Sequence, residues 1–303
     1  MRVLVTGAGG FVGSFTAARF AREGHEVTGF DRRARPLDPR HQSPPVDMVE
    51  GDVRDAAAVR AAAEACRAEG IVHAAALISQ TDGANDPVGM YRVNVDGTLN
   101  VLEAARALGA RVVYVATATL YGVHPDLHPL TEDAHPEPVG IYDTTKLMAE
   151  TLALAYHKVY GLDTVSVRPG YVFGPGASTG GYFMDEVFAG RAVEPTGGDL
   201  PMDLTYVRDL ADGIHRAMTV RPIEHRVFNV TSGVQVTRAQ VADAVRRRVP
   251  GARIALGSGI PPHAHLRGPS VLDRARHELG YEPRFFLEEG MDDWLAWLKD
   301  SAG

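Results

Sequence analysis

Leu4-Val5-Thr6-Gly7-Ala8-Gly9-Gly10-Phe11-Val12-Gly13 stands almost at the start of the chain. An apolar run, Val3 to Val5, enters a glycine-rich turn, and an apolar-periodic helix leaves it. The pattern is a strand, a phosphate-binding turn and a helix N-terminus. Gly7, Gly10 and Gly13 give G-x-x-G-x-x-G spacing; the commoner G-x-G-x-x-G fails because position 12 is Val. Gly7 permits a tight turn that a β-carbon would obstruct. Gly10 lets backbone approach a pyrophosphate, and Gly13 lets the helix pack close on the strand. The free N–H groups and positive helix end then receive phosphate charge. On its own, such a turn also serves as a plain strand-to-helix corner.

Glu26 to Phe30 reads as the next strand and ends at Asp31. An acidic residue there lies about 20 residues beyond the turn, where it accepts both ribose hydroxyls of an adenosine. Its carboxylate repels a 2′-phosphate, so NAD is favoured over NADP. Arg32 and Arg33 follow at once and pull the other way, because a guanidinium there binds a 2′-phosphate.

The chain has 303 residues, enough for one large or two modest domains with a buried core. Its 45% hydrophobic and 23% charged residues are ordinary for a soluble globular protein. A net charge of −7 argues against generic nucleic-acid binding. The single cysteine, Cys66, excludes an intramolecular disulfide, and with no apparent signal peptide a cytoplasmic protein is expected. No apolar run approaches the roughly 18 residues of a membrane span.

Strand signals at 2–6, 26–30, 47–49, 70–73, 111–116 and 163–168 alternate with helical patterns near 11–23, 55–68, 86–108 and 140–161. Such alternation predicts an α/β fold, a doubly wound parallel sheet of Rossmann type. After about residue 169 the chain is dense in Gly and Pro. Helices are expected at 181–190, 207–219, 237–249 and 288–299, with small strands near 203–206 and 226–230. The division expected is a dinucleotide-binding domain over 1–169, joined by later segments that return to the sheet, and a smaller, mainly substrate-binding portion over 170–303.

Tyr142 and Lys146, at i and i+4, share one helical face. A cation beside a phenol lowers its pKa and makes a general acid or base available near neutrality. Thr117 follows strand 111–116, at the end of a parallel strand that faces the ligand crevice, where a hydroxyl can bond a substrate oxygen. His73-Ala74-Ala75-Ala76 ends another strand. The small residues let a cofactor pass close, while His73 reads equally as a structural histidine. Asp52 is suited either to the adenine amino group or to capping helix 55–68.

Together these pieces resemble the extended short-chain dehydrogenase/reductases of the NAD-dependent epimerase/dehydratase type. The matching residues are Thr6 to Gly13, Asp31, Gly51-Asp52-Val53, His73-Ala74-Ala75, Asn94 with Gly97-Thr98, Thr117 with Tyr121-Gly122, Tyr142/Lys146, Arg168-Pro169 and Phe173-Gly174-Pro175. Tyr206-Val207-Arg208-Asp209 and Leu279-Gly280-Tyr281-Glu282-Pro283 extend the likeness to nearly the whole chain. The resemblance implies Tyr142 as the proton-transferring base, Thr117 as holder of the reacting oxygen, and Lys146 as the group that binds the nicotinamide ribose and depresses the Tyr142 pKa. It implies NAD contacts at Gly7, Gly10, Phe11, Val12, Asp31, Arg32, Asp52, Val53, Ala74, Ala75, Asn94 and Lys146, with Asn94 mainly supporting the active-site backbone. It also implies a homodimer formed through the helices at 86–108 and 140–161.

The departures from the family pattern bear on substrate. Ala118 and Thr119 replace the Asp-Glu pair of the sugar-nucleotide dehydratases, which removes the acid–base pair for eliminating water. Tyr171 and Met202 replace an Asn and an Arg that contact the diphosphate of nucleotide sugars, with Arg191, Arg208 and Arg267 left to compensate. The expectation is a sugar epimerase. The alternatives are a net dehydrogenase of a small non-nucleotide sugar, sugar acid or hydroxy acid, and a non-catalytic NAD-sensing protein. Thr117, Tyr171, Tyr182 and Arg208 are the candidate substrate contacts, and the two replacements predict weak binding of UDP. His124, His128 and His135 read as a solvated loop and not a metal site.

Overall fold

The computed structural model describes residues 1–36, 38–42, 44–78, 86–177, 183–261 and 264–300. Its strands are β1 (Arg2–Thr6), β2 (Glu26–Asp31), β3 (Asp47–Glu50), β4 (Gly70–His73), β5 (Arg111–Val115), β6 (Thr164–Arg168), β7 (Tyr171–Phe173), β8 (Pro201–Tyr206), β9 (Val227–Asn229) and β10 (Gln235–Thr237). Its helices are α1 (Phe11–Arg22), α2 (Ala56–Ala65), α3 (Pro87–Tyr91), α4 (Gly97–Leu108), α5 (Ile141–Tyr160), α6 (Met184–Phe188), α7 (Val207–Thr219), α8 (Arg238–Arg248) and α9 (Leu287–Lys299). Seven parallel strands pair in the order β3-β2-β1-β4-β5-β6-β9. A second sheet, β10-β8-β7, is antiparallel on one side of β8 and parallel on the other.

The large sheet is buried on both faces, which explains its continuous apolar strands. Successive residues of a strand point to opposite faces. Val3 and Val5 accordingly join one core with Phe20, Leu210, Ile214 and Phe228, while Leu4 joins another with Phe30, Ile71, Val101 and Leu102. The first core brings α7 back against α1, and β9 extends the same sheet beyond β6. A third core lies around the small sheet, where Met202, Leu204, Tyr206, Met291 and Trp294 are fully packed.

Strand order reverses between β1 and β4, and the crevice outside their C-terminal ends is the ligand position of this topology. The expected 86–108 helix is three pieces: α3, a π-type turn at Arg92–Asp96, and α4. Among the later elements, the expected 181–190 helix is confined to Met184–Phe188, and β7 and β10 were too short to stand out in the sequence. No helix among the described residues is long and apolar enough to cross a membrane.

Candidate active site

Gly7 has φ +73°, and a Cβ there would lie 2.6 Å from the Ala75 nitrogen; a Cβ at Gly13 would lie 2.0 Å from the Gly7 carbonyl. The turn and the start of α1 are thus held against β1 and the chain after β4 with no room for side chains. Gly10 precedes α1 in extended conformation without a side-chain cap, and the first turn holds no acid. The cleft in front is lined by Gly7, Gly9, Gly10, Asp31, Arg32, Arg33, Asp52, Val53 and Ala74 to Leu77. A glycine floor, a helix N-terminus and a carboxylate at the end of β2 fit a dinucleotide.

Asp31 is fixed at that position, because Gly9 N and Arg33 N donate to its two oxygens at 3.1 Å each. Asp52 faces the same cleft and pairs with Arg54 at 2.6 Å; the cap of α2 is Asp55, which accepts from Ala57 N and Ala58 N. Phe11 and Val12 pack their side chains into the cores and present backbone only. Asn94 is buried and committed to the chain. Its Oδ1 accepts from Leu77 N at 2.8 Å, and its Nδ2 donates to Leu77 O and Thr145 Oγ1 at 3.0 Å each. It therefore ties the cleft wall to α5, one turn from Tyr142, and leaves little for a ligand. His73 lies between Thr6 Oγ1 and Thr98 Oγ1 at 2.7 and 3.0 Å, and burial holds its pKa down to about 3. It is a neutral structural histidine.

Thr117 leaves the end of β5 buried, close enough to Tyr142 to lower the phenol's pKa, and its hydroxyl lies 3.0 Å from Thr119 Oγ1. Lys146 sits one turn further along α5, where its Nζ donates to Val115 O at 2.6 Å and lies 4.4 Å from the centre of the Tyr114 ring. Burial lowers Lys146 to about 7, with Glu150 opposing. The setting of the Tyr142 phenol works against the lowering expected of Lys146. The phenol is raised, by burial first and by the Asp143 carboxylate second, and Thr117 only partly offsets them. Lys146 is not among the groups that move it, since its Nζ is turned to Val115 and Tyr114.

Asp143 was not singled out from the sequence, yet it is fully buried between Thr119 and His265. Thr119 Oγ1 donates to Asp143 Oδ1 at 2.6 Å, and His265 Nε2 lies 2.7 Å from Asp143 Oδ2. An acid at the third position of a helix looks like ordinary first-turn charge. Its partner is 122 residues away, so no local pattern announces the pair.

Of the arginines that might replace a lost diphosphate contact, Arg191 is exposed and paired with Glu186, and Arg208 is engaged by Asp293 at 2.9 Å. Arg267 is different. It is 2% exposed, its guanidinium lies 5.4 Å from the centre of the Tyr171 ring, and its Nη2 has no hydrogen-bond partner among the described residues. Met202 points into the third core. Tyr182 lies outside the described residues. His124, Asp126 and His128 bring ligand atoms within 4.8 Å of one another, but His124 Nε2 lies 2.9 Å from Tyr121 O and His128 Nδ1 2.8 Å from Asp126.

Residues 3–231 match the model of the NAD dependent epimerase/dehydratase family. The chain is 32% identical to a UDP-glucose 4-epimerase of Mycolicibacterium smegmatis, with 100% of both chains covered. It is 30% identical to a probable UDP-glucuronate 4-epimerase of Rhizobium meliloti, over 98% of this chain and 96% of that one. Among solved structures, the Thermus thermophilus UDP-glucose 4-epimerase in complex with NAD superposes with a TM-score of 0.88 at 28% identity, covering 99% of each chain.

Proposed function

The chain belongs to the NAD dependent epimerase/dehydratase family and is an NAD-dependent sugar epimerase, and we propose that Tyr142 is its base and a nucleotide-linked sugar its substrate. The placement of Thr117 at the end of β5 and of Tyr142 on α5, which Asn94 ties to the cleft wall at Leu77, carries this reading. Thr117 holds the oxygen of a secondary alcohol, and Tyr142 takes its proton and later returns it. Lys146 supplies charge from beneath. Asp31, the turn from Gly7 to Val12, Arg32, Asp52, Val53, Ala74 and Ala75 hold the cofactor. When bound, NAD supplies the hydride acceptor and a positive charge that favours the phenolate. Intact Thr117, Tyr142 and Lys146 weigh against a pure NAD sensor, which needs no base.

The nucleotide-linked reading is supported by Arg267. A buried guanidinium with an open Nη2 is a costly feature unless an anion completes it. Tyr171 and Met202 support the second reading, an unactivated sugar, sugar acid or polyol. UDP titration separates the two. Bound NAD that survives dialysis separates the epimerase from a dehydrogenase that releases it.

NAD is expected to bind at least about tenfold more tightly than NADP. At 4 Å, two like charges repel by about 4 kcal/mol at an effective dielectric of 20, and Arg32 and Arg33 offset part of this. Titration with both cofactors checks it; tighter NADP binding would mean that the arginines dominate.

A homodimer is expected through α4 and α5, which lie side by side. Leu99, Ile141, Met148, Val159 and Tyr160 on these helices are exposed, as are Val88 and Tyr91 nearby. Light scattering should give the dimer mass at micromolar concentration, and Met148→Glu with Val159→Glu should give the monomer. A monomeric parent protein overturns this.

A further inference from the structure

We propose that His265 is a positioning residue for Arg267: by anchoring on Asp143 of the helix that carries Tyr142, it fixes the guanidinium that receives the diphosphate of the substrate. The inference rests on the nucleotide-linked reading of the site. Its frame is the segment 264–270. Ser270 N donates to Asp203 Oδ2 of β8 at 2.8 Å, Leu266 O accepts from His124 N at 2.6 Å, and Gln235 Nε2 of β10 donates to the Arg267 carbonyl. A Cβ at Gly268 would lie 2.0 Å from the His128 carbonyl, so this backbone rests directly on the 124–128 loop. These contacts tie the segment to the small sheet and to a neighbouring loop. His265 ties it to α5, with Nε2 2.7 Å from Asp143 Oδ2.

The link runs on to the guanidinium. The His265 carbonyl accepts from Arg267 Nη1 at 3.4 Å, and the guanidinium lies over the Tyr171 ring, 5.4 Å from its centre. Arg267 is buried, and its Nη2 has no hydrogen-bond partner among the described residues. One residue therefore holds α5 with its side chain and Arg267 with its carbonyl. The far end of the anchor is stiff. Asp143 is 2% exposed at its side chain, and its Oδ1 accepts from Thr119 Oγ1 at 2.6 Å, which leaves Oδ2 for His265. Thr119, which replaces an acid of the sugar-nucleotide dehydratases, thus sets the carboxylate that meets the imidazole.

A plain helix-end role does not account for Asp143. The residue before α5 is Gly140, and the oxygens of Asp143 go to Thr119 and His265. Burying a carboxylate is costly, and this one also raises the phenol beside it. Its presence has a reason if the pair fixes a substrate contact. A long arginine side chain that is ordered before the anion arrives loses little freedom on binding, and a bidentate fork needs its plane set in advance. The His265 side chain is 24% exposed, so the pair closes at the edge of the site, and a smaller side chain there is met by water rather than by a core cavity.

The test uses the NAD-loaded enzyme, with UDP as the probe and calorimetry as the readout. His265→Ala is expected to weaken UDP about tenfold, less than Arg267→Ala does, with melting temperature and NAD content close to those of the parent. A glutamine carries its N–H as far from Cα as the imidazole Nε2, so His265→Gln should restore most of the affinity. If His265 acts through Arg267, adding His265→Ala to Arg267→Ala should change UDP binding by less than about twofold. A His265→Ala enzyme that binds UDP like the parent, or losses that simply add in the double variant, overturns the proposal. Amide exchange of residues 264–270 needs no nucleotide and separates this failure from that of the underlying reading. Exchange at least about tenfold faster in His265→Ala supports the anchor, and unchanged exchange overturns it. A parent enzyme that binds no UDP, while His265→Ala still exchanges faster, overturns the nucleotide-linked reading and with it the phosphate given to Arg267, and leaves the anchor standing.

Discussion

Tyr142→Phe is expected to lower kcat about 10²–10⁴-fold, the usual contribution of a positioned acid or base, while NAD stays bound. The loss corresponds to about 3–5 kcal/mol at the transition state. The substitution removes one oxygen and keeps the ring, so its neighbours Thr117 and Asp143 keep their places. The cofactor cleft is built from the turn at Gly7 to Gly10, Asp31, Asp52 and Ala74 to Leu77, none of which depends on the phenol oxygen. Thr117 cannot take over as base, because an aliphatic hydroxyl is a far weaker acid than a phenol. Lys146 does not stand in either, since its Nζ is directed to the Val115 carbonyl. Retained NAD, measured by absorbance after denaturation, separates a chemical defect from an empty or unfolded protein. Activity within a few-fold of the parent would sink the assignment.

What the sequence made legible is what obeys local periodicity. Buried parallel strands such as Arg111–Val115 are continuous apolar runs, and the glycine turn has a steric reason at each position, so the doubly wound parallel sheet followed from them. That Tyr142 and Lys146 share one helix was legible because one helical turn separates them. Three things were not. The direction of the Tyr142 shift depends on burial and on Asp143, and neither is visible in a spacing. The Asp143–His265 contact joins α5 to a segment that the fold alone brings over the site. The cap offered as one of two roles for Asp52 belongs to Asp55, three residues on, because helix ends slide easily in a run of alanines. Arg267 was visible only as one of several arginines; its burial and open Nη2 set it apart from Arg191 and Arg208.

UDP is expected to bind in the micromolar range, and Arg267→Ala to weaken it about tenfold to 150-fold, the loss of about 1.5–3 kcal/mol carried by a hydrogen bond to a charged group. Counting motif positions alone points to weak binding, because Tyr171 offers no amide and Met202 no guanidinium. Met202, however, is packed among Leu204, Tyr206 and Trp294, where an anion could not follow. A guanidinium for that role would come instead from the segment that carries His265. Arg267 is held against the Tyr171 ring, with Asp203 close enough to feel its charge and one nitrogen left open. Its planar fork is suited to two phosphate oxygens, so Arg267→Lys should recover the charge but only part of the affinity. Calorimetry with UDP, dTDP and GDP on the NAD-loaded enzyme, with melting temperature as the control for the buried charge left at Asp203, gives the answer. If none of the three binds below millimolar, Arg267 is a structural partner of Asp203 and Tyr171, and the substrate is an unactivated sugar, sugar acid or polyol.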